Sequence, residues 1–213
     1  MTDRTEDVTR ALRGLAPSRA AAGAPARAAS ERLAARAQSL LDIAIWTTDS
    51  PIGNLLLAVT PRGLLHVGFA GEPRDQVLAK MAREVSPRIL EAAGPTDQVR
   101  RELDQYFSGE RTRFEVKVDR RLVHGMAREV LSAARRIPFG GTSTYGRLAK
   151  TIGRPRAARA VGNALGANPI PIVIPCHRVL RAGGTLGGYA GGFARKELLL
   201  ALEGVELRPR PSS

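Results

Sequence analysis

Asn168-Pro169-Ile170-Pro171-Ile172-Val173-Ile174-Pro175-Cys176-His177-Arg178-Val179 contains the only cysteine of this 213-residue chain. An apolar run interrupted by prolines leads to Cys176, and a histidine follows it directly. Proline fixes φ and donates no backbone N–H, which excludes a helix interior or a central strand. The stretch therefore predicts a stiff, extended and buried lead-in that delivers Cys176 to a fixed place.

The residue type alone leaves the role of Cys176 open. Free cysteines are often buried and behave as small hydrophobic side chains, so a structural thiol is one interpretation. His177 and Arg178 favour a reactive thiol, because a nearby cation can lower a thiol pKa from about 8.5 and supply the thiolate. One cysteine and three histidines do not give the paired spacing of a zinc site, and we predict no metal. A papain-like protease would have other residues around its cysteine.

Composition limits the cellular compartments in which we expect the protein. No apolar run in the sequence is long enough to cross a bilayer, and the acidic N-terminus lacks the apolar stretch of a secretory signal. A lone cysteine cannot form an internal disulfide, which is typical of a reducing compartment. We therefore expect a cytoplasmic protein that does not contact membranes.

The net charge is concentrated in one half of the chain. Residues 120–213 hold 16 Lys and Arg against 4 Asp and Glu, and so carry +12 of the total +13. Residues 1–119 are nearly neutral, with 17 basic against 16 acidic side chains. A solvated basic surface without a ligand is one explanation, but a basic half joined to a neutral half favours nucleic acid as the partner.

Residue patterns predict two folded domains between two tails. Residues 1–41 are rich in Ala and Arg without a strong apolar face and predict a disordered extension, while 208–213 form a tail. Residues 42–119 predict an α/β domain, and residues 120–207 predict a helical domain. The predicted strands of the first domain are Ile43–Thr48, Leu55–Val59, Leu64–Phe69 and Phe114–Val118, and its helices are Glu72–Glu84 and Thr96–Phe107.

The second domain is predicted to contain a helix-turn-helix. Its helices are expected at Met126–Ile137, Gly146–Ile152, Arg156–Leu165 and Phe193–Leu202, with Thr144 as an N-cap. The small residues of the helix after Arg156 suit close approach to a groove, but they suit a tightly packed core helix equally well. Glu203 lies in the last turn of the final helix, where the helix dipole disfavours a carboxylate, so we expect another group to hold it.

Pro175-Cys176-His177-Arg178-Val179, with Asn168-Pro169 before it and Gly187-Gly188-Tyr189-Ala190-Gly191-Gly192 after it, resembles the alkylated-guanine DNA alkyltransferases, the methylated-DNA–protein-cysteine methyltransferases. The resemblance spans roughly Ile43 to Leu207 and is dense from Gly140 to Gly204. It implies a ribonuclease-H-like α/β domain followed by a winged-helix or helix-turn-helix catalytic domain. It also implies direct repair of duplex DNA by a monomer without a cofactor, through irreversible single-turnover transfer of an alkyl group from O6 of guanine, or O4 of thymine, to Cys176.

The resemblance assigns catalytic roles to four residues. Cys176 is the acceptor thiolate, and His177 is the base that deprotonates it through a bound water. Glu203 orients the histidine, which follows the general logic of an activated nucleophile. Tyr145 protonates N3 of guanine so that the base leaves neutral, and it also lies against the target phosphate.

The same resemblance assigns DNA and substrate contacts. Arg159 fills the space of an extruded base from the minor groove, and Asn168 is the hinge between that helix and the active-site turn. The remaining implied DNA-binding residues are Arg156, Ala157, Tyr145 and Arg178. The implied substrate pocket consists of Val179, whose backbone would read the guanine amine, Tyr189 and Ala190 near the alkylated oxygen, and Pro171 and Gly188 at the rim.

Two positions differ from the family pattern, and two other classes of function are alternatives. Gly188 replaces a polar side chain of some relatives and implies a wider rim, whereas Pro171 could restrict bulky substrates. Alkyltransferase-like sensors of DNA damage share the fold but lack the cysteine, so Cys176 argues against that class. A helix-turn-helix transcription regulator would bind one duplex sequence and take up no alkyl group.

Overall fold

The computed structural model describes residues 42–207. The extension predicted at 1–41 and the tail predicted at 208–213 lie outside the described residues. Within the described range, an N-terminal part built on a β-sheet is followed by a helical part, and this confirms the predicted order of the two fold types.

The sheet has four strands in the order β3-β2-β1-β4. The strands are β1 (Ile43–Thr48), β2 (Leu55–Thr60), β3 (Gly63–Phe69) and β4 (Ile89–Glu91). The first three form the antiparallel meander that the sequence predicts, whereas β4 pairs in parallel with β1 and was not predicted. The helices of this part are α1 (Arg74–Glu84) and α2 (Asp97–Phe107), close to the predicted spans.

Both faces of the sheet are covered. Six consecutive residues of β3, from Leu64 to Phe69, are buried, which is the pattern of a strand enclosed on two sides. One face packs in a small cluster around Ile45, Ala58 and Met81. The other joins a larger core that continues into the helical part, through residues such as Leu57, Leu103, Val130, Ile170 and Leu199. This continuous core fixes the helical part against the sheet.

The helical part contains the predicted helix-turn-helix. Its elements are α3 (Met126–Ala134), β5 (Ser143–Thr144), α4 (Tyr145–Thr151), α5 (Ala158–Gly166), β6 (Val179–Leu180) and α6 (Phe193–Leu202). Thr144 caps α4 as predicted, because its side chain accepts a hydrogen bond from the Arg147 backbone N–H at 3.2 Å. The two-residue strands β5 and β6 pair in parallel, and this pairing brings the start of α4 beside the chain that follows Cys176.

Hydrogen bonds join the sheet directly to the cysteine region. The backbone N–H of Val67 in β3 donates to the carbonyl of Pro169 at 2.8 Å. Arg195 of α6 donates from Nε to the carbonyl of Ile52 at 2.7 Å and from Nη1 to that of Gly191 at 3.0 Å. These bonds hold the turn before Cys176 and the glycine-rich loop after it against the sheet.

Two predicted segments differ from the structure. Residues 170–174 are buried as predicted but form a turn rather than an extended lead-in, since the N–H of Ile174 donates to the carbonyl of Ile170 at 2.9 Å. The predicted strand at Phe114–Val118 is reduced to one isolated bridge between Val118 and Leu64. In the first case prolines prevent a ladder of hydrogen bonds, and the chain closes on itself instead.

No helix within residues 42–207 is long and apolar enough to cross a membrane. In the same range no three His, Cys, Asp or Glu side chains lie close enough together to share a metal ion.

Candidate active site

Cys176 lies at the start of a short 3-10 turn, Cys176–Arg178, with only 5% of its surface exposed. Asn168 fixes this turn. Its amide Nδ2 donates to the Ile174 carbonyl at 2.9 Å and lies 3.2 Å from Sγ of Cys176, and its Oδ1 accepts from the N–H of Ile170 at 3.0 Å. The buried Asn168 thus connects the end of α5 to the cysteine, and its role as a hinge stays a prediction.

Ile172 adds backbone strain to the turn. Its φ is +71°, a left-handed conformation that β-branched residues rarely adopt. Such residues cost about 1–3 kcal/mol and persist only where the surrounding structure holds them. Here the Ile172 side chain is 99% buried in the larger core, so burial of the side chain opposes the backbone cost. The turn that presents Cys176 is therefore held by core packing and by Asn168.

The thiol of Cys176 is not activated in the way that the sequence suggests. Burial raises its pKa, while the Asn168 hydrogen bond and the Lys196 cation oppose that rise. The expected cations do not act on the sulfur: burial lowers the pKa of His177, and Arg178 is bonded to Glu203. The resting thiol is therefore protonated near neutral pH and needs a base.

His177 and Glu203 form a buried hydrogen-bonded pair. His177 Nε2 lies 2.8 Å from Glu203 Oε1, and both side chains are fully buried. Burial favours a protonated Glu203, but hydrogen bonds from His177 and Arg178 outweigh it and hold the pKa of Glu203 at about 2. An ionised carboxylate only accepts hydrogen bonds, so Nε2 carries the proton and Nδ1 keeps its lone pair. This Nδ1 has no hydrogen-bond partner among the described residues.

Arg178 lies inside this arrangement rather than on a DNA-facing surface. Its Nε donates to Glu203 Oε2 at 2.8 Å and its Nη2 to Oε1 at 2.9 Å, the two-pronged geometry that suits a guanidinium and a carboxylate. Its Nη1 donates to the Ile137 carbonyl at 2.6 Å, and only 6% of the residue is exposed. The contact with DNA expected from the sequence is thus corrected: Arg178 holds Glu203 in place.

Tyr145 begins α4 and is half buried beside the glycine-rich loop. Its hydroxyl lies 3.5 Å from the carbonyl of Gly188, and burial raises its pKa. A Cβ at Gly187 would lie 2.1 Å from this hydroxyl, so only glycine lets the loop pass the ring. The phenol is therefore neutral near pH 7 and able to donate a proton.

The helix α5, the second helix of the predicted helix-turn-helix, has two distinct faces. Val161, Ala164 and Leu165 are buried in the core. Arg159 and, just before the helix, Arg156 are exposed, and Ala157 between them is half buried. The alternative of a helix packed on all sides is therefore excluded, and a cationic face remains open.

The predicted pocket residues are only partly brought together. Pro171, Ala190 and Asn168 line one cavity of about 410 Å3 between β3 and the glycine-rich loop. Val179 is buried in β6, and Gly188 is exposed beside Tyr145. The Tyr189 ring packs edge-on against His177, with centroids 6.4 Å apart, and its buried hydroxyl has no partner within the described chain.

Comparison with known proteins identifies this arrangement. A family model described as the ribonuclease-like domain of 6-O-methylguanine DNA methyltransferase matches residues 44–120, and a model of its DNA-binding domain matches residues 125–205. The chain belongs to the 6-O-methylguanine DNA methyltransferase family. The resemblance stated from Pro175 to Val179 and the predicted fold class are thereby confirmed.

Individual relatives match this methyltransferase-family chain along nearly their whole length. The methylated-DNA–protein-cysteine methyltransferase of Methanosarcina acetivorans is 43% identical over 156 residues, 73% of this chain and 95% of the relative. That of Mycolicibacterium paratuberculosis is 44% identical over 157 residues, 74% of this chain and 90% of the relative. The solved structure of Mycobacterium tuberculosis OGT in complex with DNA has a TM-score of 0.65 at 39% identity, covering 75% of this chain and 92% of the solved one.

Two buried residues of this methyltransferase-family site were not predicted. Tyr106 of α2 donates its hydroxyl to Glu203 Oε1 at 2.6 Å. Lys196 of α6 is completely buried, and its Nζ donates to the carbonyl of Val179 at 2.6 Å and is 3.4 Å from that of Gly187. Burial lowers the pKa of Lys196 to about 8. Lys196 lies three and four residues before the apolar, buried Leu199 and Leu200, a spacing that puts it on the inner face of the last helix and was a usable signal; Tyr106 had none.

Proposed function

We propose that the chain repairs DNA directly by transferring an alkyl group, chiefly methyl, from O6 of guanine or O4 of thymine to Sγ of Cys176. The observation that carries this proposal is the buried Cys176 beside a His177 whose Nε2 is fixed by Glu203 and whose Nδ1 is unused. The names of the relatives and the DNA complex of the Mycobacterium tuberculosis protein support the same reaction.

His177 is the base in the first step. A water between Sγ of Cys176 and Nδ1 of His177 would pass the thiol proton to the ring. The resulting imidazolium is stabilised by the carboxylate of Glu203, which Arg178 and Tyr106 hold in place. The low pKa of Glu203 keeps its charge available throughout the pH range of the reaction.

The transfer itself is an in-line displacement at the alkyl carbon. An S–C bond forms while the C–O6 bond breaks, and the electron pair of that bond remains on guanine. Tyr145 gives its phenolic proton to N3, so that neutral guanine leaves, and the phenolate recovers a proton from the protonated relay or from water. The thioether has no route back to a thiol, and the sequence has no second cysteine to take the group onward. One molecule therefore acts once.

Lys196 would support the thiolate. Burial raises the pKa of Cys176, and the Asn168 hydrogen bond and the charge of the Lys196 ammonium both oppose that rise. Its ammonium group is fixed by two backbone carbonyls rather than by a carboxylate, so its charge is not neutralised by a counterion among the residues described. A fixed, unneutralised cation stabilises negative charge that develops on a nearby atom in a buried site.

DNA would approach the exposed face of α5. Arg159 would enter the base stack, while Arg156 and Ala157 would contact the backbone of the strand. Extrusion costs a few kcal/mol, least for a base that pairs badly, and an inserted side chain fills the space left behind. The extruded base would enter near Val179 and Tyr189, with Ala190, Pro171 and Gly188 bordering the alkyl group and Asn168 acting as the hinge.

The chain is proposed to act as a monomer on duplex DNA in the cytoplasm. A free cysteine is stable in a reducing compartment, and one copy contains every residue proposed for the reaction.

Intact-mass measurement tests the proposed function. After incubation with one equivalent of duplex that contains O6-methylguanine, one methyl mass is expected on the peptide that contains Cys176, and none on a Cys176→Ala variant. The variant should still bind the duplex. Duplex binding by the wild-type protein without any mass gain would instead identify a non-catalytic sensor of damage.

A further inference from the structure

A second concave site is lined in part by Arg178, the residue that also bonds Glu203. It is a cavity of about 740 Å3 that we call the arginine cavity. Its lining includes the aromatic residues Phe114 and Phe139 and four arginines, Arg113, Arg135, Arg136 and Arg178. No acidic residue of the described chain lines it. It is distinct from the α5 surface and from the cavity lined by Pro171 and Ala190.

Three of the four guanidinium groups have no anionic partner within the part of the chain that the structure describes. Within residues 42–207 the side chains of Arg113, Arg135 and Arg136 make no hydrogen bond and no ion pair with protein atoms. Other arginines of the same chain do find carboxylates, as Arg121 does with Asp119. Burial and, to a smaller extent, the neighbouring Arg120 lower the pKa of Arg135, although the residue is exposed. Like charges gathered in a concave site are relieved by a bound anion.

Two aromatic rings line the arginine cavity. The ring of Phe114 packs on Tyr106 with centroids 5.3 Å apart, and that of Phe139 packs edge-on at 6.1 Å. The guanidinium of Arg178 lies 6.0 Å from the centroid of Phe139. Rigid rings beside guanidinium groups offer a surface for a planar base next to one for a phosphate.

We propose that the arginine cavity is a nucleotide-binding site, in which phosphate lies on Arg113, Arg135 and Arg136 and the base lies against Phe114 and Phe139. A volume of about 740 Å3 accommodates a molecule of that size, within the range of about 300–1,000 Å3 for ligand sites. The planar guanidinium fork matches phosphate oxygens in pairs. Two ligands carry both a phosphate and a base: a free nucleoside polyphosphate and a nucleotide within a DNA strand.

Arg178 connects this cavity to the catalytic carboxylate but is unsuitable as a test position. Three of its five N–H donors are occupied by Glu203 and Ile137, and its loss would disturb the relay whatever the cavity binds. Arg113 and Arg136 have no such role, because their side chains contact neither Cys176, His177 nor Glu203.

Isothermal titration of the full chain with dATP in magnesium-free buffer tests the site. One dATP is expected to bind per chain, inorganic tripolyphosphate more weakly, and deoxyadenosine not measurably. The double variant Arg113→Ala/Arg136→Ala should weaken dATP binding by about tenfold or more for each guanidinium removed. Arg101→Ala removes an exposed arginine of α2 outside the cavity and should leave the affinity within about twofold of wild type, since a lone surface charge contributes little.

Competition with undamaged duplex separates the two sources. If a DNA strand is the ligand, duplex displaces dATP and the double variant binds duplex with a smaller salt slope. If a free nucleotide is the ligand, dATP and duplex bind together and the salt slope is unchanged. The proposal is overturned if dATP does not bind, if deoxyadenosine binds equally well, or if the double variant, with an unchanged melting temperature, keeps wild-type affinity. Methyl transfer by the double variant is a separate readout, so failure here leaves the proposed repair reaction untouched.

Discussion

Tyr106, in the last turn of α2, donates its hydroxyl to Oε1 of Glu203 at 2.6 Å, although the two residues are 97 positions apart. Both are buried, and Glu203 accepts from His177 and Arg178 at the same time. The sheet-containing part of the molecule thus supplies one hydrogen-bond donor to a buried carboxylate of the helical part. Among the residues proposed for the reaction, Tyr106 hydrogen-bonds only Glu203, so we expect it to act through the position and charge of that carboxylate.

Tyr106→Phe keeps the ring contacts of Tyr106 and removes only this donor. We expect a loss of about 1–2 kcal/mol in the free energy of unfolding, because a buried charged acceptor loses a bond. With one donor fewer, the carboxylate interacts more strongly with His177 and raises its pKa, so the acidic limb of the rate profile should move to higher pH. Transfer rates at saturating DNA between about pH 5 and 8 measure this shift. An unchanged profile together with lost stability would reduce Tyr106 to a structural role.

Glu203 is expected to make the free energy of unfolding depend on pH in the acidic range. Its pKa is about 2 in the folded protein against an ordinary value of 4.5, so its stabilising contribution is fully present above pH 4.5 and is lost as pH falls towards 2. Glu203→Gln should therefore have a lower melting temperature near pH 7 and a flatter decline between pH 4.5 and 2 than wild type. Glu110→Gln, an exposed residue, is the control and should follow the wild-type curve. Parallel curves for Glu203→Gln and wild type would contradict the assignment.

Lys196 is expected to make the rate of methyl transfer depend on pH in the alkaline range. Its pKa of about 8 means that the cation is present below that pH and is lost above it. Lys196→Met removes the charge and should slow methyl transfer most at pH 6–7, while the difference from wild type shrinks as pH rises through about 8. Lys117→Met, at an exposed position, should be indistinguishable from wild type. A rate deficit that stays constant from pH 6 to 9.5 would mean that Lys196 acts through packing alone.

Local chemistry explains which features could be predicted. The meander from Ile43 to Phe69 follows from alternating apolar residues and turn signals, and the cap at Thr144 follows from its hydroxyl before a helical run. The strand β4 was missed because three residues after a proline carry almost no periodicity. Its pairing with β1 depends on a contact between segments more than 40 residues apart, which no local pattern encodes.

The buried polar contacts were the least predictable part of the site. Arg178 and Glu203 are separated by 25 residues. Nothing in the sequence around either residue indicates that the Arg178 guanidinium donates to the Glu203 carboxylate. The expectation that some group must hold Glu203 at its helix end followed from the helix dipole alone, and the structure supplies the groups. Composition located the basic half of the chain but did not separate the exposed Arg159 from the buried Arg178, because side-chain burial is set by tertiary packing.

Arg159 is exposed on α5, has no protein partner among residues 42–207, and is proposed to fill the space of the extruded base. Extrusion is needed for duplex DNA but not for free O6-methylguanine, so Arg159→Ala should slow transfer from duplex and leave transfer from the free base unchanged. If the side chain offsets about 2 kcal/mol of the extrusion cost, the duplex rate at saturation falls about 30-fold.

Arg156→Ala removes a neighbouring exposed guanidinium and should weaken duplex binding without lowering the rate at saturating DNA, which separates attraction to phosphate from insertion. A duplex with an unpaired position opposite the lesion should restore most of the Arg159→Ala rate, because less pairing energy then opposes extrusion. Equal slowing on duplex and free base would show that Arg159 supports the fold of the site and not the insertion.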